Sequence, residues 1–451
     1  MTQPIHPESE RADLLEKAHK PAAESLRLHA YYRGKLAAAA KCPIRSTEDF
    51  ALWYTPGVAA PCRAIADAPE KVYELTNKGN LIAIISDGSR VLGLGDIGPE
   101  ASLPVMEGKA LLFKYFGGVD AVPIVLDASS PDDFIETVLR LQPGFGGVNL
   151  EDIAQPKCFE ILNRLRQEAR IPIWHDDQQG TATVTLAGLM NALKVVGKEK
   201  EQIRLVFLGA GAAGVACARL IFAWGVDPAK AIVVDAGGIL NKERNDFPEG
   251  SPQWHLCQIT NAEQRTGGAA EALKNANVVI AYSQSGPDTL QPEWIKTMAT
   301  DPVVFACANP VPEIWPWEAK AAGAAVVGTG RSDFPNQVNN SLSFPGIFRG
   351  VLDVRARTIS DEMCFAAAEA LSGAIPEAEL DAEHILPTMM DQTIYPLQAA
   401  AVGMKAQEQG LAQLSLSYEM LLDRAEQTIA NAQAATEVLM DAHCIPPIPE
   451  D

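Results

Sequence analysis

Two pairs of adjacent carboxylates could do chemistry in this chain: Glu151-Asp152 in GGVNLEDI and Asp176-Asp177 in IPIWHDDQQGTA. Each pair ends a short apolar run of the kind that forms a buried strand, and each precedes a helix-like segment. Neighbouring carboxylates at the end of a buried strand repel one another, and desolvation makes ionising both more costly. A proton or a bound cation must relieve them, and hard divalent ions such as Mg²⁺ and Mn²⁺ take oxygen ligands of this type. For either pair alone the plain alternative is helix N-capping by solvated acids. Two pairs just upstream of a nucleotide-binding loop favour metal.

That loop is Gly209-Ala210-Gly211-Ala212-Ala213-Gly214, a GxGxxG pattern between an apolar run and a helical one. Gly209 permits a tight turn, Gly211 lets the backbone approach a pyrophosphate at a helix N-terminus, and Gly214 allows close helix–strand packing. Asp235 closes the following apolar run and is placed to hold adenosine ribose hydroxyls, which favours NAD. Lys242 and Arg244 follow it and are placed to take a 2′-phosphate, so NADP stays open. Lys109, in VMEGKALLFK, opens a helix beside apolar residues; a desolvated lysine has a lowered pKa and can act as a base, whereas most lysines reach out to solvent. Tyr54 lies beside a Pro-Gly turn, and its spacing alone assigns it no role. Arg90, Asn309, Asn339 and Asn340 sit in loops near predicted strand ends, where α/β sheets bind ligands and where Arg pairs with carboxylates; each is also an ordinary turn or cap residue.

The elements that must position these groups alternate. Residues 1–20 are charged and read as frayed or helical, and 22–40 read as a helix. Strand candidates follow at 81–89 and 121–127, then at VNLEDI and IPIWHDD. A helix over 157–169 joins the last two, and a second over 181–197 bridges to a new unit. That unit begins at IRLVFLGAGAAG and adds apolar runs at 231–238, 277–286, 303–310 and 324–330 with helix-sized gaps. Alternating strands and helices imply an α/β fold with a parallel, doubly wound sheet. From Ile347 the pattern is helical.

The length of 451 residues suits two or three domains with ample core. With 37 Lys and Arg against 57 Asp and Glu, the formal charge of −20 argues against nucleic acid or an anionic membrane surface as partner. The eight scattered cysteines form no CxxC pair and read as reduced thiols. The start of the chain has no apolar signal core, and no run approaches a membrane span, so a cytoplasmic protein is expected.

YTPGVA, SDGSRVLGLGDIGP, PVMEGKALLFK, NLEDIAQPKCFEI, HDDQQGTATVTLAGLMNAL, GAGAAG, ANPVPEI and NQVNNSLSFPGIFRG occur in this order. Together they resemble the malic enzyme family in its shorter bacterial form, over roughly residues 25–400. One departure is that Arg90 and Asp96 look more like the longer eukaryotic type. The resemblance implies oxidative decarboxylation of L-malate to pyruvate and CO₂ with reduction of NAD(P)⁺. The alternatives are an oxaloacetate decarboxylase or a malolactic-type enzyme of the same family. It implies a substrate and metal domain over 1–180, a Rossmann-like NAD(P)-binding domain over 181–346, and a C-terminal helical segment over 347–451 that packs back on the others. Carried over by motif, Glu151, Asp152 and Asp177 would ligate Mg²⁺ or Mn²⁺, and Asp176 would orient the base. Lys109 would be the general base and Tyr54 the general acid. Arg90 and Asn340 would bind malate carboxylates, and Asn309 would lie near both substrate and nicotinamide. Gly209, Gly211, Ala212, Ala213, Gly214 and Asp235 would bind NAD, or NADP. A homodimer or larger homo-oligomer is also implied.

Overall fold

The computed structural model describes residues 24–91 and 93–449; the expected frayed or helical segment over 1–20 lies outside them. Two parallel sheets organise the chain. The first takes the order β2-β1-β3-β4, from Leu81–Ser86 (β1), Asp120–Val125 (β2), Gly147–Leu150 (β3) and Ile173–His175 (β4). β1 leads to β2 on one side and pairs with β3 on the other, so the connections diverge at β1. A crevice opens at the carboxyl end of such a divergence, where α/β sheets bind ligands. The acidic pairs follow β3 and β4 at that end.

The second sheet takes the order β10-β9-β8-β5-β6-β7, from Leu205–Leu208 (β5), Ile232–Asp235 (β6), Gly238–Ile239 (β7), Val278–Ala281 (β8), Val303–Ala306 (β9) and Val326–Thr329 (β10). All pairs are parallel except the short edge strand β7. Strand side chains alternate between faces, and the core follows: Leu205 and Phe207 join the large core shared with the first sheet, while Val206 and Leu208 join a separate core on the opposite face. This is the doubly wound architecture expected from the apolar runs.

Helices complete both layers. Pro99–Gly117 (α1) and Lys157–Glu168 (α2) flank the first sheet, Thr181–Val195 (α3) bridges the two, and Ala212–Trp224 (α4) follows the glycine loop. Phe344–Asp353 (α5) packs Phe344 and Phe348 against Phe113 of α1, with ring centroids 4.5 and 5.2 Å apart. A final helix, Tyr418–Asp441 (α6), reaches α1 as well, where Gln433 donates to the Tyr115 carbonyl. No described helix is long and apolar enough to cross a membrane, and all eight cysteines are free.

One expected helix is shorter than its pattern. Residues 24–32 are helical, but Arg33 and Gly34 take left-handed φ of 56° and 98°, and both amides return to the His29 carbonyl. That is a C-terminal cap. The Ala-rich stretch after it is irregular and tied down at both ends: Lys35 donates to the Pro104 carbonyl on α1, and Lys41 to Asp120 at the start of β2.

Candidate active site

The two acidic pairs meet at the carboxyl end of the first sheet. One oxygen from each of Glu151, Asp152 and Asp177 lies within 4.8 Å of the others. Three features aim them. Asn149 Nδ2 donates to Glu151 Oε2 at 2.8 Å. Asp152 adopts a left-handed φ of 54°, which turns the chain back so that its amide donates to Asp177 Oδ2 at 2.9 Å. Asp176–Gly180 forms a π-helical turn between β4 and α3, which swings the second pair under the first. Such turns recur at functional sites. A Cβ at Gly180 would fall 2.0 Å from Asp176 Oδ1, so the turn admits only glycine there.

Lys109, on the inward face of α1, provides the positive charge nearest these acids. Its Nζ donates to Asp176 Oδ2, lies 3.3 Å from Glu151 Oε1, donates to Asn340 Oδ1 at 3.2 Å and sits 4.4 Å above the Phe344 ring. Trp174 Nε1 holds the other Asp176 oxygen at 3.2 Å. The lowered ammonium pKa expected from local sequence is not what the structure has. Burial does depress it, but Asp176, Glu151 and Asp177 together outweigh burial and hold it above its ordinary value. The acids outnumber this one cation. Burial, with too little compensation from Lys109, pushes the Glu151, Asp176 and Asp177 carboxyls up. A largely buried set of hard oxygen donors with surplus negative charge has the chemistry of a Mg²⁺ or Mn²⁺ site.

Other expected residues border this cluster. The positive charge of Arg90 acts on Asp177, and the Arg90 amide donates to the Asp152 carbonyl at 3.0 Å. Asn340 opens a 3-10 turn before α5, while Asn339 caps that turn, accepting from Ser341 N at 2.9 Å. Asn309 sits between the two sheets' loops, so close to Gly93 and Gly330 that a Cβ on either would meet Asn309 atoms at 2.8 and 2.7 Å. Tyr54 stands apart. It caps a short helix, Thr47–Trp53, and is 71 % exposed; its amide donates to the Phe50 carbonyl and its carbonyl accepts from the Val58 amide, both at 2.8 Å.

Local spacing pointed to neither His175 nor Glu313. His175 ends β4, is fully buried, and neither ring nitrogen has a hydrogen-bond partner. Burial pushes its pKa down to about 4, so the ring is neutral. Glu313 is fully buried between the ends of β8 and β9. Its carboxylate accepts from Ser283 N at 2.8 Å, Ser283 Oγ at 3.1 Å and Ala308 N at 3.0 Å. The signal that could have found it is the closeness of an acid to Asn309 in ANPVPE.

The glycine loop has the geometry of a phosphate cradle. Gly209 takes φ of 117°, and a Cβ there would meet the Tyr282 carbonyl oxygen at 2.3 Å. A Cβ on Gly214 would meet the Gly209 carbonyl oxygen at 2.0 Å. Gly211 differs: its Cβ would face open space, with Gln155 Nε2 the nearest atom at 4.0 Å. Gly211 caps α4, which begins at Ala212 and Ala213, so a ligand phosphate can approach this backbone at a helix N-terminus. Asp235 lies at the end of β6, engaged by Arg244.

Sequence comparison matches residues 33–166 to the family described as "Malic enzyme, N-terminal domain" and residues 178–406 to "Malic enzyme, NAD binding domain". The "Bifunctional malic/malolactic enzyme" of Bacillus subtilis is 48% identical over 89% of this chain and 97% of its own. The "NAD-dependent malic enzyme" of Geobacillus stearothermophilus is 48% identical over 84% and 78%, and the "NADP-dependent malic enzyme" of Halomonas elongata 45% over 84% and 92%. Among solved structures, the Entamoeba histolytica malic enzyme superposes with a TM-score of 0.94 at 44% identity, covering 99% of this chain and 93% of that one. The Pyrococcus horikoshii malic enzyme gives 0.86 at 50% identity, covering 90% and 94%.

Proposed function

The chain belongs to the malic enzyme family, and from that premise we propose that it oxidatively decarboxylates L-malate to pyruvate and CO₂ while reducing NAD⁺ or NADP⁺. The observation that carries the reading is the convergence of two buried carboxylates and the half-buried Asp177 beside Lys109. Glu151, Asp152 and Asp177 would hold Mg²⁺ or Mn²⁺. When bound, that ion supplies Lewis acidity at the substrate oxygens and takes over the counter-charge that Lys109 otherwise provides.

The chain's own groups then divide the work. Lys109 Nζ takes the C2 hydroxyl proton as the C2 hydride leaves for NAD(P)⁺. Asp176, fixed by Trp174, keeps the amine aimed, and Asn340 holds it from the other side. Arg90 and Asn340 bind the malate carboxylates, with Asn309 between substrate and nicotinamide. The oxidised product is a β-keto acid, which loses CO₂ to leave enolpyruvate. Tyr54 protonates its C3 to give pyruvate. The glycine loop, from Gly209 to Gly214 with Ala212 and Ala213, receives the pyrophosphate, and Asp235 lies at the adenosine ribose. In this scheme residues 1–180 carry substrate and metal, 181–346 the dinucleotide, and 347–451 brace both. We further place the enzyme in the cytoplasm, supported by its free thiols, and as a homodimer or larger homo-oligomer.

A second reading has one observation behind it, the name of the Bacillus subtilis relative, which includes malolactic activity. Steady-state assays with malate, Mn²⁺ and each cofactor in turn, following reduced cofactor, pyruvate and lactate, test both. Stoichiometric reduced cofactor and pyruvate are expected. Lactate without net reduced cofactor would replace the reading with the malolactic one; oxaloacetate consumption alone would replace it with decarboxylation.

A further inference from the structure

We infer that Glu313 is a positioning residue for Asn309: its buried carboxylate ties the loop after β9 to the loop after β8 and so fixes the Asn309 side chain in the crevice. The inference rests on the reading of Asn309 as the residue between substrate and nicotinamide.

Asn309 has no hold of its own. Neither its backbone nor its side chain has a hydrogen-bond partner among the described residues. It is exposed, whereas Cys307 and Ala308 before it are buried. Its place is therefore set by its neighbours in the chain. On the carboxyl side, Arg331 Nη1 donates to the Pro310 carbonyl at 2.7 Å, and Ser285 Oγ donates to the Val311 carbonyl at 2.9 Å. On the amino side the adjacent hold is the Ala308 amide, and its acceptor is Glu313 Oε2 at 3.0 Å. The other oxygen, Glu313 Oε1, accepts from Ser283 N at 2.8 Å and Ser283 Oγ at 3.1 Å. One carboxylate thus bridges two strand ends. Ser283 follows Tyr282, whose carbonyl oxygen lies against Gly209, so the same clamp registers Asn309 against the cofactor loop.

The clamp needs a carboxylate. Its donors approach both oxygens, and only an ionised carboxyl is an acceptor alone at both. A glutamine has one acceptor oxygen. Turned toward Ser283, it sets its NH₂ against the Ala308 amide; turned toward Ala308, it sets its NH₂ against the Ser283 amide. Either way one arm of the clamp is lost. An aspartate keeps the acid but is one methylene short. Loop stability alone does not account for the acid. Burying a carboxyl is costly, and an apolar side chain of similar size fills the same space without that cost. What an apolar side chain cannot do is hold two backbone amides in one geometry.

A double-mutant cycle between Glu313 and Asn309 tests this. The full chain is assayed with malate, Mn²⁺ and its preferred cofactor at a pH of about 8, above the value of about 7 to which burial pushes the Glu313 carboxyl. Asn309→Ala and Glu313→Gln should each lower kcat by about 10-fold or more, since a misplacement of about 1 Å can cost about 10²-fold. Affinities of Glu313→Gln for Mn²⁺, by calorimetry, and for reduced cofactor, by fluorescence titration, should stay within about twofold of wild type, because neither ligand is held by Asn309 alone. In the Asn309→Ala background, Glu313→Gln should lower kcat by no more than about twofold, because the clamp acts through a group already removed. Losses that multiply would overturn the inference and leave Asn309 in its role. Wild-type kcat in Glu313→Gln would overturn it too. Wild-type kcat in Asn309→Ala would remove the reading of Asn309, and the inference with it. Should Glu313→Gln lose Mn²⁺ binding through misfolding, Glu313→Asp carries the same cycle: a kcat loss that vanishes in the Asn309→Ala background is expected, and one that multiplies would overturn the inference.

Discussion

Arg244 closes on Asp235 through two parallel hydrogen bonds, Nη1 to Oδ1 and Nη2 to Oδ2, each 3.0 Å long. The same Asp235 oxygen also accepts from the Gly237 amide at 2.9 Å, and Arg244 Nε donates to Asp246 at 2.6 Å. The acid expected to read the ribose is therefore already satisfied, and the cation expected to read a 2′-phosphate is already neutralised. Replacing Asp235 by Ser should leave Arg244 with one acidic partner and room for a phosphate. A charged hydrogen bond contributes about 1.5–3 kcal/mol, so the ratio of kcat/KM for NADP to that for NAD should rise by about 10-fold or more. Initial rates with both cofactors measure it, and an unchanged ratio would mean that this pair does not read the ribose.

Metal and base can be separated. Asp177→Ala removes one of three carboxylates that share a point, and Mn²⁺ binding measured by calorimetry should vanish. In wild type, saturating Mn²⁺ should raise the unfolding free energy by about 3 kcal/mol at a hundredfold excess over Kd. Lys109→Ala keeps the three ligands, so Mn²⁺ should still bind while turnover falls by about 10²–10⁴-fold. Undiminished metal affinity in the first variant, or near-wild-type turnover in the second, would reassign the residue concerned.

What the sequence made legible follows from how local each signal is. The glycine loop, the strands of both sheets and the acidic pairs are written in contiguous residues, so their types and order could be read directly. The direction of the Lys109 shift could not. It depends on Asp176 and Glu151, both distant in sequence, and burial alone argues the opposite sign. Nor could the exposure of Tyr54, because motif order does not tell which side chains a loop leaves uncovered. Glu313 was missed for a related reason. Its donors, Ser283 and Ala308, belong to two different strand ends.

Glu313 also gives the protein a pH dependence with a definite sign. Burial pushes its carboxyl up to about 7 from the ordinary 4.5, although three donors favour the ionised form. The folded protein thus binds this proton more tightly than the unfolded chain does. The stabilisation is fully present below the unfolded value and is lost as pH rises through about 7. Between pH of about 5 and 8, wild type should lose about 2–3 kcal/mol relative to Glu313→Gln. Urea unfolding at both pH values gives this difference of differences. Parallel losses in the two proteins would show that Glu313 ionises normally.

The glycines of the cofactor loop should fail in different ways. Gly209→Ala forces a side chain into φ of 117° and against the Tyr282 carbonyl oxygen. Strain of this kind costs about 1–3 kcal/mol, so its thermal midpoint should drop with or without cofactor. In Gly211→Val the added Cβ meets no heavy atom nearer than Gln155 Nε2, at 4.0 Å. Its stability should stay within about 0.5 kcal/mol of wild type, because Gly211 already has the extended backbone that a β-branched residue adopts. Its affinity for reduced cofactor, read by fluorescence titration, should fall by about 10-fold or more, since the pyrophosphate must come close to this backbone. Wild-type cofactor affinity in Gly211→Val would move the phosphate away from the start of α4. A loss of stability equal to that of Gly209→Ala would show that Gly211 serves the fold instead of the ligand.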